Sequence, residues 1–467
     1  MIMDMATATH VVQELNSILW GPYCLIPLLV GTGIYFTFKL RFVQIRLFFA
    51  AIRQVFGGIR IFGKKADREG MSSFQSLATA IAAQVGTGNL AGVATAIAMG
   101  GPGAIFWMWI AAFFGMATIF VEAVLAQLFK KRDRQRHITG GPAFYITYGL
   151  RSKALATFFS ISLIIALGFI GTMVQANSIS EAFNTAFHIP AWFCGIFTVG
   201  LTGFIIVGGI RRIAYTTEKL VPLLAVIYIV GSLTVIFENW HMIDDAFRMI
   251  IVGAFNPEAA TGGVIGASIK EAIRYGVARG LFSNEAGMGS TPHAHAVAKV
   301  HNPAQQGLAA MFGVFFDTFI VLNMTAFVIL TTEALDGTAT GIALTQKAFA
   351  IGLGSQTVGF GFVAICLFFF AFTTIIGWYF FAEQNVRYLF GPKRLGQFRV
   401  LVLCFIMSGT FLHVNLVWEL ADFFNGMMVF PNLIALLGLG KMVSKALKDY
   451  EAERHLIPAP HQTPASE

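Results

Sequence analysis

Apolar runs long enough to cross a bilayer, 18 residues or more, recur along the whole of this 467-residue chain. Each reads as a helix crossing a hydrocarbon core of about 30 Å. A β-barrel would need alternating segments of about ten residues, and the sequence contains no such series. Composition agrees, with 56% of residues hydrophobic and only 12% charged, against about 25% charged in a soluble domain. Mean hydropathy is +0.70. The fold class expected is an all-α polytopic membrane protein.

Eleven spans are expected, at about 18–40, 73–98, 103–129, 154–187, 191–211, 217–237, 266–297, 307–332, 356–390, 397–413 and 416–440. The segments between them alternate in charge, with eight Lys/Arg in 38–72, seven in 130–153, four in 387–399 and four in 441–467. All the basic segments fall on one side only with eleven spans and the N-terminus outside. The positive-inside rule then makes that side cytoplasmic, which places the chain in the plasma (inner) membrane with a cytoplasmic C-terminus. The net charge of +8 is thereby topological, and no nucleic-acid partner is expected. Residues 1–17 carry Asp4 and Glu14 and do not read as a cleavable signal. The four cysteines are scattered through apolar segments, and no disulfide framework or zinc site is indicated.

Within 42–62, Arg46, Arg53 and Arg60 recur every seven residues among Phe and Ile. That pattern fits a helix lying in the inner membrane interface, arginines toward lipid head groups; an ordinary basic loop is the alternative. Residues 458–467 read as a polar disordered tail. The expected organisation is an N-terminal segment and extra helix (1–40), an interfacial element (41–72), a first repeat (73–238), an extracellular loop (239–265), a second repeat (266–443) and a tail (444–467).

Two spans contain residues that weaken helices. The first has Gly86-Thr87-Gly88-Asn89 at its centre, and the second runs from Gly280 to Pro292 through Asn284, Glu285, Gly287 and Gly289. The second span would be about 48 Å long as a straight helix. With the first span set aside, the remaining ten divide into five and five, and the broken spans open each half. Gly-interrupted segments at matching places in two halves point to a transporter binding site. An odd number of spans per half makes the halves inverted. Unwinding frees N–H groups that attract a carboxylate and C=O groups that coordinate a cation such as Na⁺. Thr87 and Asn89 can add side-chain contacts. The competing explanation is close packing, since Gly88 and Gly92 have GxxxG spacing. A phosphate loop is excluded, because no Lys follows and no GxGxxG is completed.

The runs QVGTGNLAGVATAIAMGGPGAIFWMW (84–109), TGGPAFYI (139–146), GTMVQANSI (171–179), SNEAGMGSTPHAHA (283–296) and TTIIGWYFFAEQN (373–385) resemble the alanine or glycine:cation symporter family across about residues 15–445. Met288, Thr291 and Ala143-Phe144 stand where the family usually has Leu, Ala and Met-Tyr. The resemblance implies a LeuT-like fold, five plus five inverted with one extra N-terminal helix, and Na⁺-driven uptake of a small neutral amino acid, alanine or glycine, by a monomer.

Carried over by position, the resemblance gives the substrate carboxylate to the N–H groups of Thr87 and Gly88. It puts Gln84, Gln175 and Asn284 at the same site, and makes Trp378 the wall that limits side-chain size. Gln84 and Gln175 could instead be amides that simply bridge helices. Thr373 and Thr374 match a sodium site completed by the carbonyls of Ala82, Val85 and Phe370. The alternative for the two threonines is back-bonding to the preceding turn. Glu285 either holds the second break by accepting backbone N–H bonds or faces the substrate amine; the structural role is favoured, with Arg279 a candidate partner. Glu122, Glu181, Asp317 and Glu383 are expected to be paired inside the bundle. His293 and His295 lack companions for metal binding. A sensor or channel on the same scaffold is the runner-up, though no ring of repeated charges lines a pore. Nothing resembles an enzyme's catalytic set.

Overall fold

The computed structural model describes residues 5–21, 23–56, 71–132, 138–256, 268–412 and 414–456, and nearly all of them form helices packed side by side. Six helices are long and apolar enough to cross a membrane: Gly103–Leu128, Lys153–Phe187, Gly209–Glu238, Pro303–Thr331, Gln356–Phe390 and Leu416–Glu453. A pair, Ser73–Gln84 and Gly88–Gly100, bent by 45° at the break between them, has the geometry of a broken span or a re-entrant loop. The other four expected spans are occupied by shorter helices, Leu25–Lys39, Ala191–Val207, Ile269–Asn284 and Leu395–Gly409. At 15 to 17 residues these reach only about 22–26 Å. Length and composition therefore give six candidate spans among the described residues, or seven if the bent pair is one span, and eleven stays an expectation.

The core runs along the axis of the bundle. Gly103–Leu128 lies against Pro303–Thr331 and Ile269–Asn284, while Gln356–Phe390 lies against Lys153–Phe187 and against Ser73–Gln84. Small residues make these approaches possible. A Cβ added at Gly276 would lie 2.8 Å from Trp107 Cβ, and one at Gly168 would lie 2.9 Å from Ala382 Cβ. Ala191–Val207 and Gly209–Glu238 instead present Trp192, Phe197, Phe204, Val226 and Val230 outward, the apolar face that a helix needs against lipid. π-type turns interrupt three of the spans, at Gly88–Gly92, Ile164–Gly171 and Phe315–Leu322. Such turns are rare and gather at functional sites.

Basic segments expected on one side do meet at one end of the bundle. Arg46 pairs with Glu451, Met71 N–H donates to Val297 O, and Lys130 Nζ donates to Ala298 O. The expected interfacial helix is two pieces, Val43–Arg46 and Phe48–Phe56, separated at Leu47. Ala51 and Val55 face inward, Phe48 meets Phe315 and Phe56 meets Phe312 edge to face, and Arg46 and Arg53 stay exposed. The remainder of that element, including Arg60, lies outside the described residues, as do residues 257–265 and 458–467. The first part of the expected 239–265 loop is instead helical: Ile243–Phe255 packs on Gly103–Leu128, with Ala246, Ile250, Gly253 and Ala254 buried.

Candidate functional site

The first break begins where Ser73–Gln84 ends. Its N-terminus is fixed by a capping box, with Ser72 accepting from Gln75 N–H and Gln75 from Ser72 N–H. Val85 leaves the helix in an extended conformation (φ −81°, ψ 93°), and the chain turns back into helix at Thr87–Gly88. Asn89 stabilises this corner by accepting from Gly86 N–H at 3.0 Å. Gly86 is needed for space. A Cβ there would press on Thr374 Oγ1 and come within 3.2 Å of Gln175 Oε1.

The second break follows Asn284 and lasts until Pro292. Glu285, Gly287 and Gly289 adopt left-handed φ of 58°, 97° and 80°, which explains both glycines. Glu122 holds the loop from the neighbouring helix. Its carboxylate accepts from Gly287 N–H at 3.1 Å, Gly289 N–H at 2.9 Å and Asn432 Nδ2 at 2.5 Å. The sequence marks Glu122 as a lone acid in a 26-residue apolar helix, expected to be paired; its partners are neutral donors, and its role in holding the second break is what the sequence did not show.

The two breaks touch. Gln84 Nε2 donates to Asn284 O at 2.7 Å across 200 residues of sequence. A Cβ at Gly88 would meet Ser283 Cα at 3.0 Å. Gln175 reaches in from Lys153–Phe187 and accepts from Thr87 N–H at 3.2 Å. Three fully buried polar atoms at this junction have no protein partner: Gln84 Oε1, Thr87 Oγ1 and Gln175 Nε2. Buried polar atoms are almost always paired, so three orphans around one unwound backbone leave bonding capacity for a ligand. Asn284 differs. Its Nδ2 donates to Thr318 Oγ1 and its Oδ1 accepts from Ala286 N–H, so its side chain is already engaged.

Trp378 is buried beside the junction, with its ring edge-on to Phe282 at 5.6 Å. Its indole N–H donates to Glu285, whose other oxygen accepts from Ser290 Oγ at 2.6 Å. Glu285 thus takes side-chain donors; the backbone donors foreseen for it belong to Glu122. Arg279 is not its partner either, but pairs with Asp422 at 2.6 Å and lies over the Trp418 ring. Trp418 in turn packs against Phe282, the rings tilted by 43° with centroids 4.9 Å apart. Beyond this aromatic layer lies a cavity of ≈ 460 Å³ lined by Ser178, Glu181, Tyr275, Arg279 and Trp418 among others.

Ala82, Val85, Phe370, Thr373 and Thr374 come together on the other side of Gly86. Thr374 Oγ1 lies 2.9 Å from Ala82 O, 3.3 Å from Val85 O and 3.0 Å from Phe370 O. Thr373 Oγ1 donates to Phe370 O at 2.9 Å. Both threonines do back-bond, but Thr374 also crosses to the first break. Its single proton faces three carbonyls, so the cluster holds more lone pairs than protons. That excess suits a small hard cation.

Of the other acids expected to be paired, Glu181 is not: it is half-buried on the cavity and takes no hydrogen bond or ion pair among the described residues. Glu383 takes Tyr379, Arg387 and Arg399. His293 Nδ1 lies 2.7 Å from Ser290 O and its Nε2 2.8 Å from Asn385 Nδ2. His295 Nδ1 lies 2.7 Å from Gln306 Nε2. Asp317 has no basic partner and takes only neutral donors.

Residues 5–463 match the sodium:alanine symporter family. Among curated relatives, the chain is 41% identical to the probable sodium/glutamine symporter GlnT of Bacillus subtilis (strain 168), over 95% of this chain and 91% of that one. It is 40% identical to the sodium/alanine symporter AgcS of Methanococcus maripaludis, over 95% and 97%. Among solved structures it is similar to MhsT in complex with L-phenylalanine, with a TM-score of 0.57 and 13% identity, over 84% of this chain and 99% of that one. That likeness gives the chain a LeuT-like fold.

Proposed function

The chain belongs to the sodium:alanine symporter family, and from that premise we propose that it imports a small neutral amino acid, alanine or glycine, together with Na⁺ by alternating access. Substrate and ion sit side by side at the first break, in a bundle of eleven spans whose last ten form two inverted halves, 73–238 and 266–443. The protein works as a monomer in the inner membrane, N-terminus outside. The observation that carries this reading is the trio of unpartnered buried atoms, Gln84 Oε1, Thr87 Oγ1 and Gln175 Nε2, around the unwound Gly86–Thr87 backbone.

A zwitterion matches that trio. Its carboxylate takes the N–H groups of Thr87 and Gly88, at the positive end of the half-helix that follows. Gln175, which now accepts from Thr87 N–H, turns its free amide N–H toward the carboxylate instead. Gln84 Oε1 accepts from the ammonium, and Asn284 supports Gln84 through its carbonyl. Trp378, held by Glu285, closes the space around the side chain and favours a small one. Na⁺ takes the oxygens of Ala82, Val85, Phe370, Thr373 and Thr374. Because Gly86 lies between Thr374 and Gln175, the ion stiffens the corner on which the substrate binds. Paid ordering of one ligand by another is how coupling arises without direct contact.

The test is uptake by purified protein in proteoliposomes with alanine, glycine and glutamine, under an imposed inward Na⁺ gradient. Concentrative alanine or glycine uptake that collapses without the gradient is expected. Alanine accumulation indifferent to Na⁺ defeats the coupling, and steady single-channel currents would favour a channel.

A further inference from the structure

One cavity away from the two breaks gathers charge of a single sign. It has a volume of ≈ 650 Å³ and is lined by Lys130, Lys131, Arg132, Lys299 and His301 with two aliphatic residues. No acid lines it among the described residues. Charge bias explains why basic residues lie at this end of the bundle. It does not explain why two distant segments meet around one cavity, 168 residues apart where Lys130 Nζ donates to Ala298 O.

Backbone bonds fix both walls. Lys131 and Arg132 pair with Thr139 and Ile138 in a two-stranded ladder, and Lys299 N–H donates to Met71 O at 3.0 Å. Two ammonium groups keep bonding capacity, since each has three donors. Lys130 Nζ uses two, to Gln127 Oε1 at 2.6 Å and Ala298 O at 3.1 Å. Lys131 Nζ has no hydrogen-bond acceptor among the described residues and lies over the Tyr148 ring at 4.4 Å. Burial, and then the charge of Arg132, lower the pKa of Lys130, and a bound anion would offset both effects. Arg132 and Lys299 have further contacts of their own and add charge to the walls.

We propose that this cavity binds a phosphate group, carried by an anionic lipid head group or by a soluble phosphorylated molecule. Phosphate brings several oxygens to lysines on two walls, where chloride brings one atom. Basic pockets at the cytoplasmic ends of membrane helices take lipid head groups in this way. The position fits, because Gly103–Leu128 ends two residues before Lys130. Leu128 and Tyr148 are exposed beside it, and such side chains belong at a membrane surface.

Occupancy reaches the second break through Lys130. Its acceptor Ala298 O also takes Gln127 Nε2 at 3.0 Å, and Gln127 Nε2 donates to His295 O as well. A phosphate that completes the Lys130 shell stiffens the chain leaving that break. Binding to the folded state alone raises its stability.

The experiment is thermal unfolding of the purified full-length protein in neutral detergent. One arm is titrated with phosphatidylglycerol against phosphatidylcholine, whose phosphate is neutralised by choline. The other is titrated with potassium pyrophosphate against potassium chloride at equal ionic strength. The midpoint should rise with a phosphate probe and with neither control. A rise with phosphatidylglycerol alone assigns the phosphate to a head group; a rise with pyrophosphate gives the site to a soluble phosphate as well. Lys131→Gln with Lys299→Gln should raise the concentration for half the shift by about 25-fold, at about fivefold per basic residue. Should that double variant not fold, Lys131→Gln alone should raise it by about fivefold. Lys393→Gln with Lys445→Gln removes the same charge from exposed positions in other basic segments and should leave the titration nearly unchanged. No rise with either probe, an equal rise with the controls, an equal weakening in the two double variants, or a K131Q titration like that of wild type overturns the site.

Discussion

Thr374→Val removes one hydroxyl and changes little else. The side chain is 1% exposed, and valine has the same branched shape, so no cavity opens and Gly86 keeps its neighbour. What is lost is the atom that lies within 3.3 Å of Ala82 O, Val85 O and Phe370 O at once. In the proposed site that is one of five oxygens around a cation. A contact of hydrogen-bond type with a charged group is worth about 1.5–3 kcal/mol, and each 1.4 kcal/mol is a factor of about ten. The Na⁺ concentration needed for half-maximal alanine binding should therefore rise by about 10- to 100-fold. Alanine affinity at saturating Na⁺ should be nearly unchanged, because Thr374 makes no contact with the proposed carboxylate donors. The assay is a set of alanine-binding isotherms across a Na⁺ series. Thr331→Val is the control, since Thr331 Oγ1 donates only to Phe327 O, at 2.7 Å, in its own helix. If T374V half-saturates with Na⁺ within about twofold of wild type, as the control should, the hydroxyl only back-bonds and the argument from its three carbonyls is refuted.

Two further perturbations probe the scaffold. Glu122→Gln keeps the volume but turns an amide N–H toward groups that already donate, so at least one backbone N–H of Gly287 or Gly289 loses its acceptor, at a cost of about 1–3 kcal/mol; thermal unfolding in detergent should show a lower midpoint, and an unchanged one would mean the loop holds itself. Arg279→Met leaves Asp422 buried without its partner and should destabilise by about 3–5 kcal/mol, while adding Asp422→Leu should restore most of the loss; equal melting of the single and double variants would show that the pair carries no such burden.

Much of the candidate site was legible in sequence, for a local reason. Gly86, Gly88, Gly287 and Gly289 are weak points in otherwise helical runs, and both chain breaks fall where they stand. Gln84, Thr87, Gln175 and the oxygens near Thr374 do converge. Span lengths were read less well. The bond from Cys24 N–H to Gly21 O and the turns at 410–412 shorten helices that hydropathy alone extends, because an apolar residue in a turn is as hydrophobic as one in a helix. Leu47 splits the expected interfacial helix without any Gly or Pro to announce it. Asp317 was expected to be paired; its partners are all neutral.

Hydropathy and glycine placement determined the class of this protein by themselves. A bilayer imposes its demand on each span separately, so spans, charge bias and breaks are one-dimensional properties. Only the tertiary structure decided which buried charge meets which group. Arg279 took Asp422, 143 residues away, and left Glu285 to Trp378, while Glu122 took the N–H groups of the second break. Such choices join residues far apart in sequence, and they are settled by which helices come within hydrogen-bond reach, a quantity that no window of sequence contains.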